Sequence, residues 1–426
     1  MSEAFFEKID VLLPGQGETL TQAPVHHWEQ AERASAQIYY STREPKSVLI
    51  HLTGLTREER KALADMPIEV DLSALKYHDY DGFGVHLPGL IITTQGTAIA
   101  VCQKRHGSMG DGGNQVDILM SRSEDSGTTW QRQEVIFEEE GAFTYLGPIF
   151  EDGTTGAVFV AFWKMPADIL DDLGYFSEYA KQGGGFYLIK STDQGRSWSD
   201  PFYVRPELNA EGWVGWPNNC VHGIQLASGP RKGRLVIPAF LYKEGEPGQV
   251  PGVRGGLLYS DDHGQSWKAG AVLPEGSDEV SLVETAGDGG IYVSYRKNTL
   301  TTGKRHFARS TDYGETFCEH GQHEEVPDTN LHAGLIRYRG GEEGTEDILL
   351  FSNPSPTKDM TIRMSRDEGK SWGFSRGLER GLSRYSDLAV TPDGTILCLY
   401  TNGVVRDREK ISVVRFNLEW LMGVSE

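Results

Sequence analysis

Ser123-Glu124-Asp125-Ser126-Gly127-Thr128-Thr129-Trp130 is the stretch on which the reading of this chain turns. Its pattern, Ser-x-Asp-x-Gly-x-Ser/Thr-Trp/Phe, returns at Ser191–Trp198, Ser260–Trp267, Ser310–Phe317 and Ser365–Trp372. Each copy reads as a hairpin tip. The Asp side chain can accept backbone N–H bonds within the turn, the Gly supplies a positive φ, and the closing aromatic tucks under the hairpin. The runs that enter the turns, such as Asp117-Ile-Leu-Met, Gly185-Phe-Tyr-Leu-Ile-Lys and Gly256-Leu-Leu-Tyr, are short and apolar or alternating, as strands require. The copies stand roughly 50 to 70 residues apart, enough for one four-stranded blade and its loops. The repeat therefore predicts an all-β propeller.

Outside the repeat, composition mainly excludes. A chain of 426 residues can bury the core of one large all-β domain or of two average ones. A formal charge of −20 repels a phosphate backbone, and no run of Lys and Arg is broken by aromatics, so no nucleic-acid partner is expected. The apolar stretches are too short to span a bilayer, which predicts no membrane association. The start, Met1-Ser-Glu-Ala-Phe-Phe-Glu-Lys8, lacks the basic and apolar regions of a secretory signal, so a cytoplasmic location is the expectation. Cys102, Cys220, Cys318 and Cys398 are scattered without a CxxC pair and read as buried thiols. No nucleotide loop, His-Glu-x-x-His helix or zinc pattern occurs, so no cofactor and no metal is implied. The oligomeric state is not legible.

The five motifs resemble the Asp boxes of the sialidase superfamily, and the resemblance runs from about Tyr77 to the end of the chain. It implies a six-bladed β-propeller over residues 77–426, with the Asp boxes on the face away from the active site. Residues 1–76 fall outside it. There, strand-like Ser47–Leu52 and Ile68–Leu72 flank a helix-like Thr56–Ala64, which reads as a small N-terminal α+β extension.

The resemblance also assigns the site residue by residue. Val85-His86-Leu-Pro88-Gly89 is similar to the family's Arg-Ile-Pro motif, with His86 where the first arginine of a carboxylate-binding triad belongs. Arg105 and the Gly-rich loop after it match the segment that carries the acid, which places Asp111 as the acid/base. The segments Trp216–Leu226 and Gly233–Pro238 fix the register between the blades. Glu279 matches the carboxylate that pairs with the nucleophile, and Arg296 the second triad arginine. After Asn353-Pro354 the third arginine is replaced by Thr357 or Lys358. Ser383-Arg384-Tyr385-Ser386-Asp387 resembles the nucleophile strand, with Tyr385 as nucleophile. Thr401 stands where the family has the Glu that supports its first arginine.

These residues imply an exo-acting glycoside hydrolase for a terminal sialic acid or related acidic keto-sugar, with a glycan or glycoside as its partner. A carboxylate nucleophile would be repelled by an anomeric carbon that itself bears a carboxylate, and a tyrosine avoids this. Asp111, Glu279 and Tyr385 make the catalytic set. His86, Arg105, Arg296 and Lys358 are the candidate substrate-binding groups, a protonated His86 and Lys358 replacing part of the lost positive charge. Two alternatives stay open. One is a catalytically silent glycan-binding propeller, argued from the broken triad. The other is a polysaccharide lyase acting on a uronate, with His86 and Tyr385 as base and acid.

Overall fold

The computed structural model describes residues 4–12, 36–40, 48–52, 84–106, 115–166, 184–218, 221–243, 252–287, 289–297, 303–339, 347–355, 359–403 and 408–423. Strand β1 (Phe6–Leu12) and the hairpin β2 (Ala36–Tyr40) and β3 (Val48–Leu52) precede six sheets. Blade one runs β4 (Gly84–Ile92), β5 (Ala98–Arg105), β6 (Val116–Ser123) and β7 (Glu134–Phe137). Blade two is β8 (Ala142–Asp152), β9 (Ala157–Pro166), β10 (Gly185–Ser191) and β11 (Phe202–Val204). Blade three has β12 (Trp213–Pro217), the short β13 (Ile224–Gln225), β14 (Leu235–Lys243), β15 (Arg254–Ser260) and β16 (Lys268–Val272). Blade four is β17 (Ser277–Glu284), β18 (Ile291–Lys297), β19 (Lys304–Ser310) and β20 (Glu319–Pro327). Blade five is β21 (Gly334–Arg339), β22 (Asp347–Ser355), β23 (Asp359–Ser365) and β24 (Phe374–Glu379). Blade six holds β25 (Ser383–Val390), β26 (Ile396–Asn402) and β27 (Lys410–Phe416), and its outer strand is β1.

Every blade is antiparallel, a meander in blades one, two, four and five, with β12 and β13 both paired to β14 in blade three and β1 completing blade six. The inner strands pack on one another around the ring, from β4 against β8 to β25 back against β4. The fold is thus the expected six-bladed propeller. Inner strands lie between neighbouring blades and are buried on both faces, as in β17 and β4. Outer strands such as β7 and β20 keep one side in water. That difference explains why inner strands read as continuous apolar runs and outer ones as mixed sequence. The described helix is one short turn, α1 (Leu418–Met422), capped by Asn417.

Ring closure uses the N-terminus. Phe6 to Leu12 pair with Phe416 to Ile411, so the segment expected as a separate extension begins with a strand that the propeller itself uses. The β2–β3 hairpin includes the strand expected at Ser47–Leu52, whereas the helix expected at Thr56–Ala64 and the strand at Ile68–Leu72 lie outside the described residues. Closure also accounts for five motifs in six blades. Each motif joins the third strand of a blade to its fourth, and in blade six the fourth strand comes from the other end of the chain.

At each tip the chain makes a two-residue turn with positive φ at both central positions, Ser126 (56°) and Gly127 (77°) in the first copy. Asp125 Oδ1 accepts from Ser123 Oγ at 2.8 Å and Thr129 N at 2.8 Å, Oδ2 accepts from Thr129 Oγ1 at 2.6 Å, and Trp130 Nε1 donates to Gly127 O at 3.0 Å. Both carboxylate oxygens are thus used within the turn. The tips are tied sideways as well: a guanidinium of the preceding blade donates to the apex carbonyl, Arg415 to Ser126, Arg122 to Gln194, Arg234 to Tyr313 and Arg309 to Glu368. In the third tip His263 Nδ1 instead meets Asp152 Oδ2 at 2.9 Å. Of the cysteines, Cys102 and Cys398 are buried free thiols, Cys318 is exposed rather than buried, and Cys220 lies outside the described residues.

Candidate active site

Antiparallel pairing puts the starts of β4, β17 and β25 at the same end of the propeller as the ends of β5, β18 and β26. It pairs Gly84 with Arg105, Ser277 with Lys297 and Ser383 with Asn402. The Asp boxes, at the far ends of the third strands, lie on the opposite face. At the site end the inner strands are irregular: register shifts fall between His86 and Gly89, Ser277 and Val280, and Ser383 and Ser386. Bulges re-aim side chains, and here they carry His86, Glu279 and Tyr385 toward one centre.

Tyr385 Oη donates to Glu279 Oε1 at 2.8 Å, across 106 positions of sequence. His86 stacks on the Tyr385 ring with centroids 4.5 Å apart and planes 17° from parallel, and His332 meets the same ring edge-on at 6.2 Å. Arg296 Nε lies 2.7 Å from Glu279 Oε2 and its Nη2 2.7 Å from Asp278 Oδ2, while Nη1 donates to Asn330 Oδ1 at 2.7 Å and to Asn330 O at 3.0 Å. The contact with Glu279 is a close charge pair without the alignment of a hydrogen bond. Sequence order therefore brings together Glu279, Tyr385, Arg296 and His86. Arg105 also faces inward, fully buried, donating from Nε to Gln103 Oε1 at 3.0 Å and lying 5.5 Å from the Phe143 ring centroid. Asp111 and Lys358 lie outside the described residues.

The electrostatics follow from burial. Burial pushes the Glu279 carboxyl up to about 7, with the neighbouring carboxylate of Asp278 adding to the rise and Arg296 and the Tyr385 hydrogen bond opposing it. For Arg296, burial works against the charge, but Glu279, Tyr385 and Asp278 outweigh it and hold the guanidinium protonated. His86 corrects an expectation. Burial, then the charges of Arg105, Arg408, Arg384 and Arg296, hold its imidazole well below the usual histidine range, so it stands neutral and supplies no cation.

Three further residues escaped sequence reasoning. His332 is buried, accepts from Ala333 N at Nδ1 (2.7 Å) and has Nε2 3.1 Å from Val280 O, a pairing that fixes the proton on Nε2 and braces the bulge next to Glu279. Arg384 places its guanidinium carbon 5.9 Å from the Tyr385 ring centroid, and the Arg408 carbonyl accepts from Val85 N at 3.2 Å, beside His86. Adjacency to Tyr385 was the available signal for Arg384. For Arg408 it was the place of its loop, between the second and third strands of blade six, which the topology puts at the site end.

Chemically, a phenol bonded to a buried carboxylate can lose its proton as it attacks, and a cationic surround favours an acidic ligand. Known proteins resemble this chain in sequence and in fold. Residues 96–398 match the family model described as a BNR repeat-like domain. A sialidase of Micromonospora viridifaciens is 30% identical over 371 residues, 81% of this chain and 53% of that protein, so the chain spans about half the length of this relative. A Bacteroides fragilis sialidase is 27% identical over 404 residues, 87% of this chain and 70% of its own. Among solved structures, the Hadza microbial sialidase Hz136 superposes with a TM-score of 0.68 at 24% identity, over 79% of this chain and 66% of that one, a likeness of fold.

Proposed function

The chain belongs to the sialidase superfamily, with a BNR repeat-like domain, and from that premise we propose that it is an exo-acting glycoside hydrolase releasing a terminal sialic acid or related acidic keto-sugar. The observation that carries this reading is the 2.8 Å hydrogen bond from Tyr385 Oη to the buried Glu279. In the first displacement Tyr385 Oη attacks the anomeric carbon, its proton passes to Glu279, and the aglycone oxygen takes a proton from Asp111. In the second, water attacks the same carbon, Asp111 takes its proton, and Glu279 returns a proton to the departing phenolate. A neutral nucleophile suits an anomeric carbon that carries a carboxylate, because attack starts without charge repulsion.

Glu279 must begin as a carboxylate, and the charge of Arg296 keeps that form accessible against burial. The test is fluorophore release from aryl glycosides of N-acetylneuraminic acid, of 2-keto-3-deoxy acids and of uronic acids. Cleavage of an acidic keto-sugar glycoside that vanishes in Tyr385→Phe supports the reading. Binding without turnover would point to a glycan-binding propeller, and an unsaturated uronate product to a lyase.

A further inference from the structure

The inner strand of a propeller blade has one edge with no neighbour in its own blade, yet the buried backbone groups on that edge still need partners. On β4 and β8 a segment that leaves blade three supplies them. Between β12 and β13 the chain enters the axial channel. There Val221 N donates to Pro88 O at 3.3 Å, Ile149 N to Val221 O at 3.1 Å, and Gly223 N to Ile149 O at 2.9 Å. This path strains the backbone, since Val221, a β-branched residue, has φ 59°. Pro88 lies in the β4 bulge that carries His86, so the segment braces one wall of the site.

His222, in the middle of the segment, is buried and donates from Nδ1 to Asp387 Oδ1 at 2.8 Å. Asp387 is fully buried on β25, two residues beyond Tyr385. It also takes two backbone donors, Leu90 N at Oδ2 and Leu388 N at Oδ1, each at 2.9 Å. A carboxylate that meets three donors acts as an acceptor only, which puts the proton of the pair on His222 Nδ1. Burial works against charge on His222, but the charge of Asp387 and this hydrogen bond outweigh it and raise the imidazole above its usual value. One carboxylate thus ties blade six to blade one and to the segment from blade three. Packing does not duplicate the tie: beside His222 the channel widens toward the Asp-box face into a cavity of about 290 Å³, whose walls include Ile92, Gly153, Gln225 and Val390.

We propose that His222 and Asp387 act as one positioning unit, holding β25 against the His86 bulge of β4 and thereby setting the approach of Tyr385 Oη to Glu279. The assignment rests on the reading of Tyr385 as the nucleophile. Both residues act through Tyr385, and neither is a catalytic residue.

The experiment places an isotope label on tyrosine Cζ and follows the Tyr385 resonance by NMR, identified by its absence in Tyr385→Phe. Turnover of the aryl glycoside of N-acetylneuraminic acid is measured beside it. His222→Leu removes the donor. It should move the Tyr385 resonance toward that of free tyrosine and lower kcat roughly 10- to 100-fold, while KM changes less than about threefold, as misplacement of a reacting group does. His222→Asn sets an amide N–H near the place of Nδ1 and should recover most of both. Asp387→Asn should match His222→Leu, and the double variant should be no worse than Asp387→Asn alone, because a single unit is broken only once. A lower melting temperature with resonance and kcat per folded molecule unchanged would make the pair purely structural and overturn the proposal. Should His222→Leu fail to fold, His222→Asn is set against His222→Gln, whose longer side chain carries its amide past that place. Equal resonances and equal kcat in those two would likewise overturn it.

The nucleophile reading fails separately, if Tyr385→Phe keeps its turnover or no acidic glycoside is cleaved. The resonance then decides alone. Movement in His222→Leu that His222→Asn reverses upholds the pair as the support of the Tyr385–Glu279 bond, and an unmoved resonance overturns it.

Discussion

At the rim, Asp125 finds its partners in Ser123 and Thr129, within four residues of itself; at the centre, Tyr385 finds Glu279 across 106 positions. The Ser–Asp pair of the rim motif is made five times, each within its own turn, and a guanidinium ties four of the five tips to the preceding blade. The centre is made once, from single residues on β4, β17, β18 and β25. Repetition of the rim shares stability among copies, whereas the centre has no copy to fall back on. Damage at the rim should therefore appear as lost stability with intact turnover, and damage at the centre as lost turnover with little lost stability.

The strongest way to break that comparison is Tyr385→Phe. Removal of the nucleophilic oxygen should lower kcat by about a thousandfold or more, and leave the melting temperature almost unmoved. A large fall in melting temperature would show that the centre also carries the fold. Next comes Glu279→Gln, which keeps the shape and removes the proton acceptor, with a loss of roughly a hundredfold or more in kcat/KM. The same residue sets a pH limb. Its carboxyl is raised to about 7, so the basic form is present above that value and is lost as pH falls through it. The wild-type profile of kcat/KM should accordingly decline below about pH 7, and Arg296→Lys should displace that limb. A flat profile across this region would remove Glu279 from the proton path.

How much of this could be read from the chain alone follows the same division. The Asp boxes were legible because their chemistry is local: a Ser, an Asp and a Gly at fixed offsets are enough to specify a turn with two positive φ values. The role of β1 was not, because Phe6–Leu12 pairs with a strand at the other end of the chain. At the centre the order of motifs sufficed to place Glu279, Tyr385, Arg296 and His86 together, but not to state their condition. Charge on His86 depends on burial and on four guanidiniums drawn from separate strands and loops, none of which is near it in sequence except through the fold. Arg384 and His332 were missed for other reasons. The bulge in β25 breaks the period-two alternation at Arg384, so the rule that tells inward from outward fails there, and His332 lies in the connection before β21, where no alternation applies.

A glycine of the rim and one at the site end of blade two share a backbone conformation and differ in surroundings, and the pair probes the rim. Gly369, in the last Asp box, has φ +77°, and a Cβ there would stand 2.7 Å from Tyr292 Cζ. Tyr292 cannot easily yield, because it is fully buried and its hydroxyl is 2.7 Å from His323 Nε2. Gly141 has φ +74° with nothing within 4 Å of the added atom. Gly141→Ala should cost only the left-handed backbone term, about 1–2 kcal/mol, and Gly369→Ala a further 1–3 kcal/mol or so for overpacking, read by denaturant unfolding. Specific activity per folded molecule should stay at the wild-type value in both. Equal costs would mean that the tip is looser than its contacts indicate.

The smallest effect belongs to a single rim carboxylate. Hydrogen bonds from the Ser197 hydroxyl and backbone N–H hold Asp193 down to about 2, and its four counterparts are also lowered, hydrogen bonds in the turn outweighing what burial does to each. A depressed carboxylate stabilises the fold above its unfolded value, near 4, and that contribution is lost as pH falls toward the folded value. Acid unfolding should thus steepen between about pH 4 and 2, and Asp193→Asn should flatten it by at most about one proton. Because the other four tips keep their own carboxylates, the variant should remain folded and active at neutral pH. Loss of the whole acid transition in this one variant would mean that the five tips do not act independently, and that the rim is as singular as the centre.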